Sequence, residues 1–362
     1  MIILYFANIR LPTEKAHGLQ IMKTCEAFAR AGHTVELVVP NRATPIRDDS
    51  FAYYDVERIF TITRLPNIDT VRFGRRGFLL ATAVFAFSAL AYALSHDADS
   101  IFSRDEFVLY PISFFKRNII WESHDGRINF VIRRLLRAAW RVVVTTESAL
   151  HKYAASVTGS HLLLARNGVD IKKLQCDVKE AQALSASFAR AGELVVMYLG
   201  RLDGWKGVQT LLDAAAFLPP TMKVVIVGGE PRQVEILRKQ YPTVIFVGFV
   251  PYRDIGCYQQ AADVLVLPNT GKDDISVAST SPLKLFTYMA AEKPIVAADL
   301  PSIREVIGED ACYFVPPDNP QALAHRISTV VHDAEGAQEK ARRARALVEK
   351  YTWEARALKI LQ

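Results

Sequence analysis

Cysteine is scarce in this chain: Cys25, Cys176, Cys257 and Cys312 are scattered through 362 residues with no C-x-x-C spacing. That scatter excludes a small disulfide scaffold and a thiolate zinc site, and predicts free thiols in a reducing compartment. The eight histidines show no metal-ligand spacing either, so no metal site is expected. No basic segment and no small-residue cleavage site precede the first apolar run, residues 2–6. A signal peptide is therefore not expected, and the cytoplasm is the default location. One long uncharged run is present, the 18 positions 78–95, at the lower edge of a membrane span. Its Ala and Ser content, with Thr82, Ser88 and Ser95, predicts a buried core helix instead. No short repeat period is visible. No nucleic-acid-binding module accompanies the basic charge, so nucleic acid is not the expected partner.

What is present is apolar and alternating. Apolar residues make up 50% of the chain, enough for two cores, since single cores stop growing beyond roughly 250–300 residues. Strand-like runs at 2–8, 35–39, 100–103, 119–122, 142–145 and 162–165 alternate with helical patterns, the first of them at 19–31. A second series follows at 194–199, 223–227, 244–247, 264–267, 295–297 and 312–315. Alternation of this kind predicts an α/β chain with two doubly wound parallel sheets. The expected division is a first domain at 1–170, a linker region at 171–192, a second domain at 193–345 and a C-terminal helix at 346–362 that crosses back to the first. The net charge of +6 is uneven, with 21 Lys and Arg against 16 Asp and Glu in residues 1–170. Arg72, Arg75, Arg76, Arg133, Arg134, Arg137 and Arg141 are its densest groups. They suit anionic lipid headgroups, an acidic substrate or plain solvated helix faces.

The strongest chemical signal is Gly200-Arg201-Leu202-Asp203-Gly204-Trp205-Lys206-Gly207, between a strand and a helix. A glycine-broken turn with two cations and the free N–H groups of a helix start can cradle a diphosphate. It is not a Walker loop, because Gly207 stands where a magnesium-binding hydroxyl would follow the lysine. Gly18 in the first interstrand loop and His124 after a strand lie where parallel sheets bind ligands, beyond the strands' carboxyl ends. A further helix begins near Pro282 with Lys284 in its first turn, an unfavourable place for a cation unless an anion joins it. Asp97-Ala98-Asp99 lies just before a strand, at the wrong end for the site, and is expected to be a turn.

Taken in order, Gly18, His124-Asp125, Asn167 to Asp170, Gly200-Arg201, Lys206-Gly207, Gly248 to Pro251, Ala262-Asp263 and Ser281 to Ala290 resemble the GT-B glycosyltransferases of family 4. The run Ser281-Pro282-Leu283-Lys284-Leu285-Phe286 with Tyr288-Met289-Ala290 is the most distinctive part. The resemblance implies two Rossmann-like domains facing across a cleft, and retaining transfer of a sugar from a UDP- or GDP-sugar to a glycan or lipid-linked acceptor. It implies no cofactor and no metal, with peripheral contact to an anionic membrane as an expectation. Arg201 and Lys206 match the diphosphate cations, and His124 the residue near the transferred sugar. Gly18, Ser281, Leu283 and Lys284 would contact the phosphates, and Phe249, Val250 and Pro251 would border the base. The family usually carries two glutamates eight positions apart. Here those positions are Ser279 and Thr287, and Thr287 takes the place of the ribose-binding residue. That departure motivates a second expectation, a catalytically weak relative serving as a binding or scaffolding subunit of a glycan assembly complex.

Overall fold

The computed structural model describes residues 1–156, 161–279 and 281–362. The chain divides into two compact units, one of Met1–Arg166 with Trp353–Gln362, the other of Asn167–Thr352.

The first unit contains strands Ile2–Phe6 (β1), Thr34–Pro40 (β2), Thr61–Leu65 (β3), Ser100–Ser103 (β4), Ile119–Ser123 (β5), Arg141–Val144 (β6) and Leu162–Leu164 (β7). Its helices are Ala16–Arg30 (α1), Ser50–Tyr54 (α2), Gly74–Ser95 (α3), Glu106–Ile112 (α4), Phe130–Ala138 (α5) and Glu147–Ala154 (α6). In the second unit are strands Leu194–Leu199 (β8), Met222–Val227 (β9), Ile245–Gly248 (β10), Val264–Leu267 (β11), Ile295–Ala298 (β12) and Tyr313–Val315 (β13). Its helices are Val178–Phe188 (α7), Val208–Ala214 (α8), Pro231–Gln240 (α9), Ile255–Gln260 (α10), Leu283–Ala290 (α11), Pro301–Arg304 (α12), Pro320–His332 (α13) and Ala334–Val348 (α14). The last helix, Trp353–Leu361 (α15), returns to the first unit.

Among the described residues the sheets run β3-β2-β1-β4-β5-β6-β7 and β10-β9-β8-β11-β12-β13, and neighbouring strands are parallel in both. Both reverse winding beside their first strand, between β1 and β4 and between β8 and β11, as in Rossmann sheets. Strands covered on both faces need continuous apolar sequence. Accordingly β8 reads LVVMYL and β11 VLVL, and nearly every residue of both is buried. Helix starts are marked by side-chain caps, with Asp105 accepting from the amides of Phe107 and Val108, and Asn319 from that of Ala322. Each cap stabilises by about 1 kcal/mol.

Four features differ from the sequence reading. Strand β3 escaped it because TITRL is a short edge strand in which only Leu65 is buried. Residues 171–192 are not a free linker, because α7 lies inside the second unit and its Phe188 meets Tyr258 of α10. The free-thiol expectation holds for the buried Cys25 and Cys312, but Cys176 and Cys257 form a disulfide, with Cα atoms 5.0 Å apart. Packing of α7 against α10 closes a sequence separation of 81 residues, so spacing along the chain did not bound spacing in space. Helix α3 is buried on one face only, and Phe78, Leu79, Leu80, Phe87 and Leu94 are exposed on the other.

Candidate functional site

The turn between β8 and α8 is pressed onto the point where the second sheet reverses winding. At Gly207, with φ at +66°, a Cβ would stand 2.0 Å from the Pro268 carbonyl oxygen at the end of β11. At Gly200, with φ at +143°, a Cβ would stand 2.9 Å from Cδ of Lys284. Glycine is required at the first position by backbone and close approach together, and at the second it leaves room for the lysine stem.

Three cations gather there. Arg201 is exposed and reaches Asp203 through Nε at 3.1 Å and Nη2 at 3.2 Å. The Lys206 ammonium lies 3.3 Å from the centre of the Trp205 ring. Burial brings its pKa down to about 8; Asp203 opposes that shift and Arg201 adds to it. Lys284 donates from Nζ to the Tyr198 hydroxyl at 2.6 Å and stands 4.0 Å from the centre of that ring. Burial first, then Lys206, push its pKa well below the ordinary value. Tyr198 also donates to the Arg201 carbonyl oxygen at 2.6 Å, so one phenol fixes both ends of the cluster. Among the described residues neither lysine is ion-paired with a carboxylate. Desolvated, unpaired ammonium groups mark a place where an arriving polyanion restores lost charge stabilisation.

The other expected nucleotide contacts are more dispersed. Phe249, Val250 and Pro251 follow β10, at the sheet edge, and the Phe249 ring is exposed. Leu283 opens α11. Ser281 is buried, and its carbonyl oxygen accepts from Nδ2 of Asn167 at 2.7 Å. Thr287 is buried as well; its hydroxyl accepts from Nε2 of Gln259 at 2.7 Å and donates to the Lys284 carbonyl oxygen at 3.0 Å. The Thr287 hydroxyl is thus spent inside the fold rather than offered to a ribose. Thr287→Val should therefore destabilise the protein by about 1–3 kcal/mol in urea unfolding, because it strands the Gln259 amide. The Gln259 carbonyl oxygen already has no partner among the described residues. The side chain of Ser279 lies outside the described residues.

In the first unit His124 follows β5 and its Nε2 meets Glu122 Oε1 at 2.6 Å. Arg356 of α15 donates to Glu122 Oε2 at 2.6 Å, and Arg104 Nε stands 3.7 Å from Oε1. Burial alone would raise the Glu122 carboxyl; Arg356, then His124 and Arg104, hold it well below the usual range. Burial and Arg104 bring His124 down to about 4, more than offsetting Glu122, so the imidazole is neutral at pH 7. A carboxylate can only accept, so the proton sits on Nε2 and Nδ1 remains an acceptor. His17, in the first turn of α1, is also lowered to about 4 by burial and Arg104. Gly18 is buried, and a Cβ there would stand 2.2 Å from the Tyr54 hydroxyl. Its lack of a side chain answers Tyr54 packing.

Sequence reading found the cations and His124 but missed Tyr198, Glu122, Arg104 and Arg356. Tyr198, a hydroxyl in an otherwise apolar strand, was the readable signal. Arg356 lies 234 residues from Glu122, which no local pattern reports.

Residues 193–333 match the family described as Glycosyl transferases group 1. Two solved structures are similar over the whole chain. Sucrose-phosphate synthase from Thermosynechococcus elongatus has a TM-score of 0.79 and 21% identity, covering 100% of this chain and 97% of that one. Anabaena Alr3699/HepE in complex with UDP has a TM-score of 0.76 and 18% identity, covering 100% and 98%.

The chain has the GT-B fold, and the group 1 match falls within its second unit.

Among curated relatives, the phosphatidyl-myo-inositol mannosyltransferase of Mycobacterium leprae is 27% identical over 60% of this chain and 57% of its own. The chain spans about half the length of the curated relatives it matches, 47%, 57% and 45% for three of them. In this GT-B chain the three cations gather at the carboxyl end of β8, beside the winding reversal of the second sheet.

Proposed function

We propose that this chain is a retaining, metal-independent glycosyltransferase that works in the cytoplasm. It takes a sugar from a UDP- or GDP-sugar and passes it to a hydroxyl of a glycan or lipid-linked acceptor in cell-surface polysaccharide or glycolipid synthesis. The observation that carries this reading is the cluster of Arg201, Lys206 and Lys284, two of whose members are desolvated ammonium groups without a carboxylate partner among the described residues. In the reaction the bond between the sugar's anomeric carbon and the β-phosphate oxygen breaks, and the electron pair leaves with the diphosphate. The acceptor oxygen bonds to the same carbon and gives up its proton, which the departing phosphate can receive. Charge therefore grows on the diphosphate in the transition state, where preorganised cations act most strongly. They supply the compensation that a divalent metal gives elsewhere. In the first unit, Nδ1 of His124 is an acceptor for a sugar hydroxyl. The Anabaena protein, solved with UDP and with UDP-glucose, supports the donor class.

Thermal unfolding against UDP, GDP, ADP and CMP tests this directly. One diphosphate should raise Tm, since ligand at about 100 times its Kd adds roughly 2.7 kcal/mol. A second reading, a binding or scaffolding subunit without turnover, draws on Thr287, whose hydroxyl is already engaged by Gln259. Absence of any shift up to millimolar nucleotide would put that reading first.

A further inference from the structure

The four cysteines fall into two kinds. Cys25 and Cys312 are buried in the core, and burial pushes both thiols up, Cys312 to about 12. Thiols so placed are inert. Cys176 and Cys257 are only half-buried, and they are joined to each other. Cys176 directly precedes the cap of α7, where Asp177 accepts from the amides of Lys179 at 2.9 Å and Glu180 at 3.4 Å. Cys257 lies on α10, which is pressed onto the chain just before Cys176: a Cβ at Gly256 would stand 2.2 Å from the Leu174 carbonyl oxygen. That approach does not involve the sulfurs, so the backbone itself keeps the two Cα atoms near their 5.0 Å separation.

A third group completes the cluster. Oε2 of Glu180 stands 3.8 Å from Cys176 Sγ, and the two sulfurs and a Glu180 oxygen all lie within 4.8 Å of one another. A disulfide sulfur has no proton to donate, so this carboxylate gains nothing from the sulfur it faces. Among the described residues it has no cation partner either. Two sulfurs and a carboxylate oxygen are a donor set for a borderline-soft divalent cation. Zinc would hold the sulfurs about 3.8 Å apart, from Zn–S distances near 2.3 Å and tetrahedral angles. That is less than the Cα separation of 5.0 Å, so side-chain rotation alone supplies it. The positive end of α7 also favours the thiolate form of Cys176 once the pair is reduced.

We propose that Cys176, Cys257 and Glu180 form a Zn²⁺ site when the disulfide is reduced, with water as the fourth ligand. A dithiol reductant breaks the S–S bond: two electrons and two protons pass to the sulfurs, and the reductant becomes a disulfide. Zn²⁺ then displaces both protons to solvent and bonds to the two thiolates and one Glu180 oxygen. In a reducing compartment, paired cysteines serve metal binding more often than a lasting disulfide. Either linkage crosses the same gap, so α7 and α10 stay joined in both redox states. What depends on that junction is α10, where Gln259, two residues beyond Cys257, donates to Thr287 of α11. The metal takes no part in the transfer proposed above, and the inference does not rest on that reading.

Zinc titration of the full chain, reduced with a dithiol that is then removed without air, tests it. The reduced protein should take up one equivalent at micromolar Zn²⁺, read by competition with a chromophoric chelator, and release protons as it does so. The oxidised protein should take up none. Cobalt(II) in place of zinc should give sulfur-to-metal charge-transfer absorption, which requires thiolate ligands. Cys176→Ser and Cys257→Ser should each lower zinc affinity by at least about a hundredfold and Glu180→Gln by at least about tenfold, the range seen when metal sites are disturbed. Zinc should also raise the Tm of the reduced protein, because it binds the folded state in preference. The oxidised wild type carries no substitution, so its failure to bind isolates the role of the sulfurs even where a variant folds poorly. No zinc uptake by the reduced protein would overturn the proposal, as would equal uptake by the oxidised form, undiminished affinity in either Ser variant, or cobalt binding without the charge-transfer band. Unchanged affinity in Glu180→Gln would overturn the carboxylate ligand. Every readout is made without nucleotide or sugar, so the outcome is separate from that of the glycosyltransferase reading.

Discussion

Arg201→Ala combined with Lys206→Ala is expected to abolish nucleotide-induced stabilisation and to lower sugar transfer by at least about a thousandfold. Removing one preorganised donor from a developing oxyanion costs about a hundred- to a thousandfold in other enzymes, and here two full charges go together. The fold should survive. Arg201 is exposed and, among the described residues, its carboxylate contact is the nearby Asp203, while Lys206 rests on an adjacent ring. Retained nucleotide binding in the double variant would remove the diphosphate assignment.

The same cluster sets a pH signature in the wild-type protein. The Lys206 pKa of about 8 lies below its ordinary 10.5. Above about pH 8 the free protein loses that proton, so affinity for a nucleoside diphosphate should decline by up to tenfold per unit. A bound diphosphate raises the pKa, so binding near pH 8.5 should take up protons, measurable by calorimetry in buffers of different ionisation enthalpy. Apo stability should move the other way. The folded state binds fewer protons than the unfolded state between about 8 and 10.5, so the contribution of this lysine to stability rises across that window. Opposite trends in affinity and apo stability separate a buried functional lysine from a solvated one.

Arg356→Ala is expected to destabilise the protein by about 3–5 kcal/mol, the cost of leaving a buried carboxylate without its main partner. Glu122 is almost fully buried and Arg104 stands too far from it to replace a 2.6 Å contact. The sign of the acid response follows. Glu122 has a depressed pKa, so its contribution to stability is complete above the ordinary value of 4.5 and is lost as pH falls toward the folded value. The variant raises that pKa and should move the acid-unfolding midpoint upward. Arg356→Lys should recover part of the loss. If the urea midpoint of Arg356→Ala matched the wild type, Glu122 would not depend on this pair.

The sequence was most legible where one element determines the outcome. Apolar runs such as Val264–Leu267 identify central strands because both faces are covered. Lys284 stood out because a cation at a helix start is locally unfavourable. Where residues act across distance the signal vanished. Cys176 and Cys257, or Glu122 and Arg356, become neighbours only after packing. Composition misled for α3, since an uncharged helix reads alike whether its large side chains face inward or outward. Thr287 shows a different limit: the motif located the residue, but its partner Gln259 sits on another helix.

The return of α15 to the first unit has a consequence for how the protein is made. The second unit is an insertion between Arg166 and Trp353, and the first unit lacks Arg356 until that insertion has been synthesised. At about 5–20 residues per second, translation of that insertion takes roughly 10–40 seconds. Through that interval Glu122 waits without Arg356, its main partner, while the whole second unit emerges. The first unit is therefore completed only after the second has been made, and a nascent chain that stalls before Arg356 leaves the earlier-made unit unfinished.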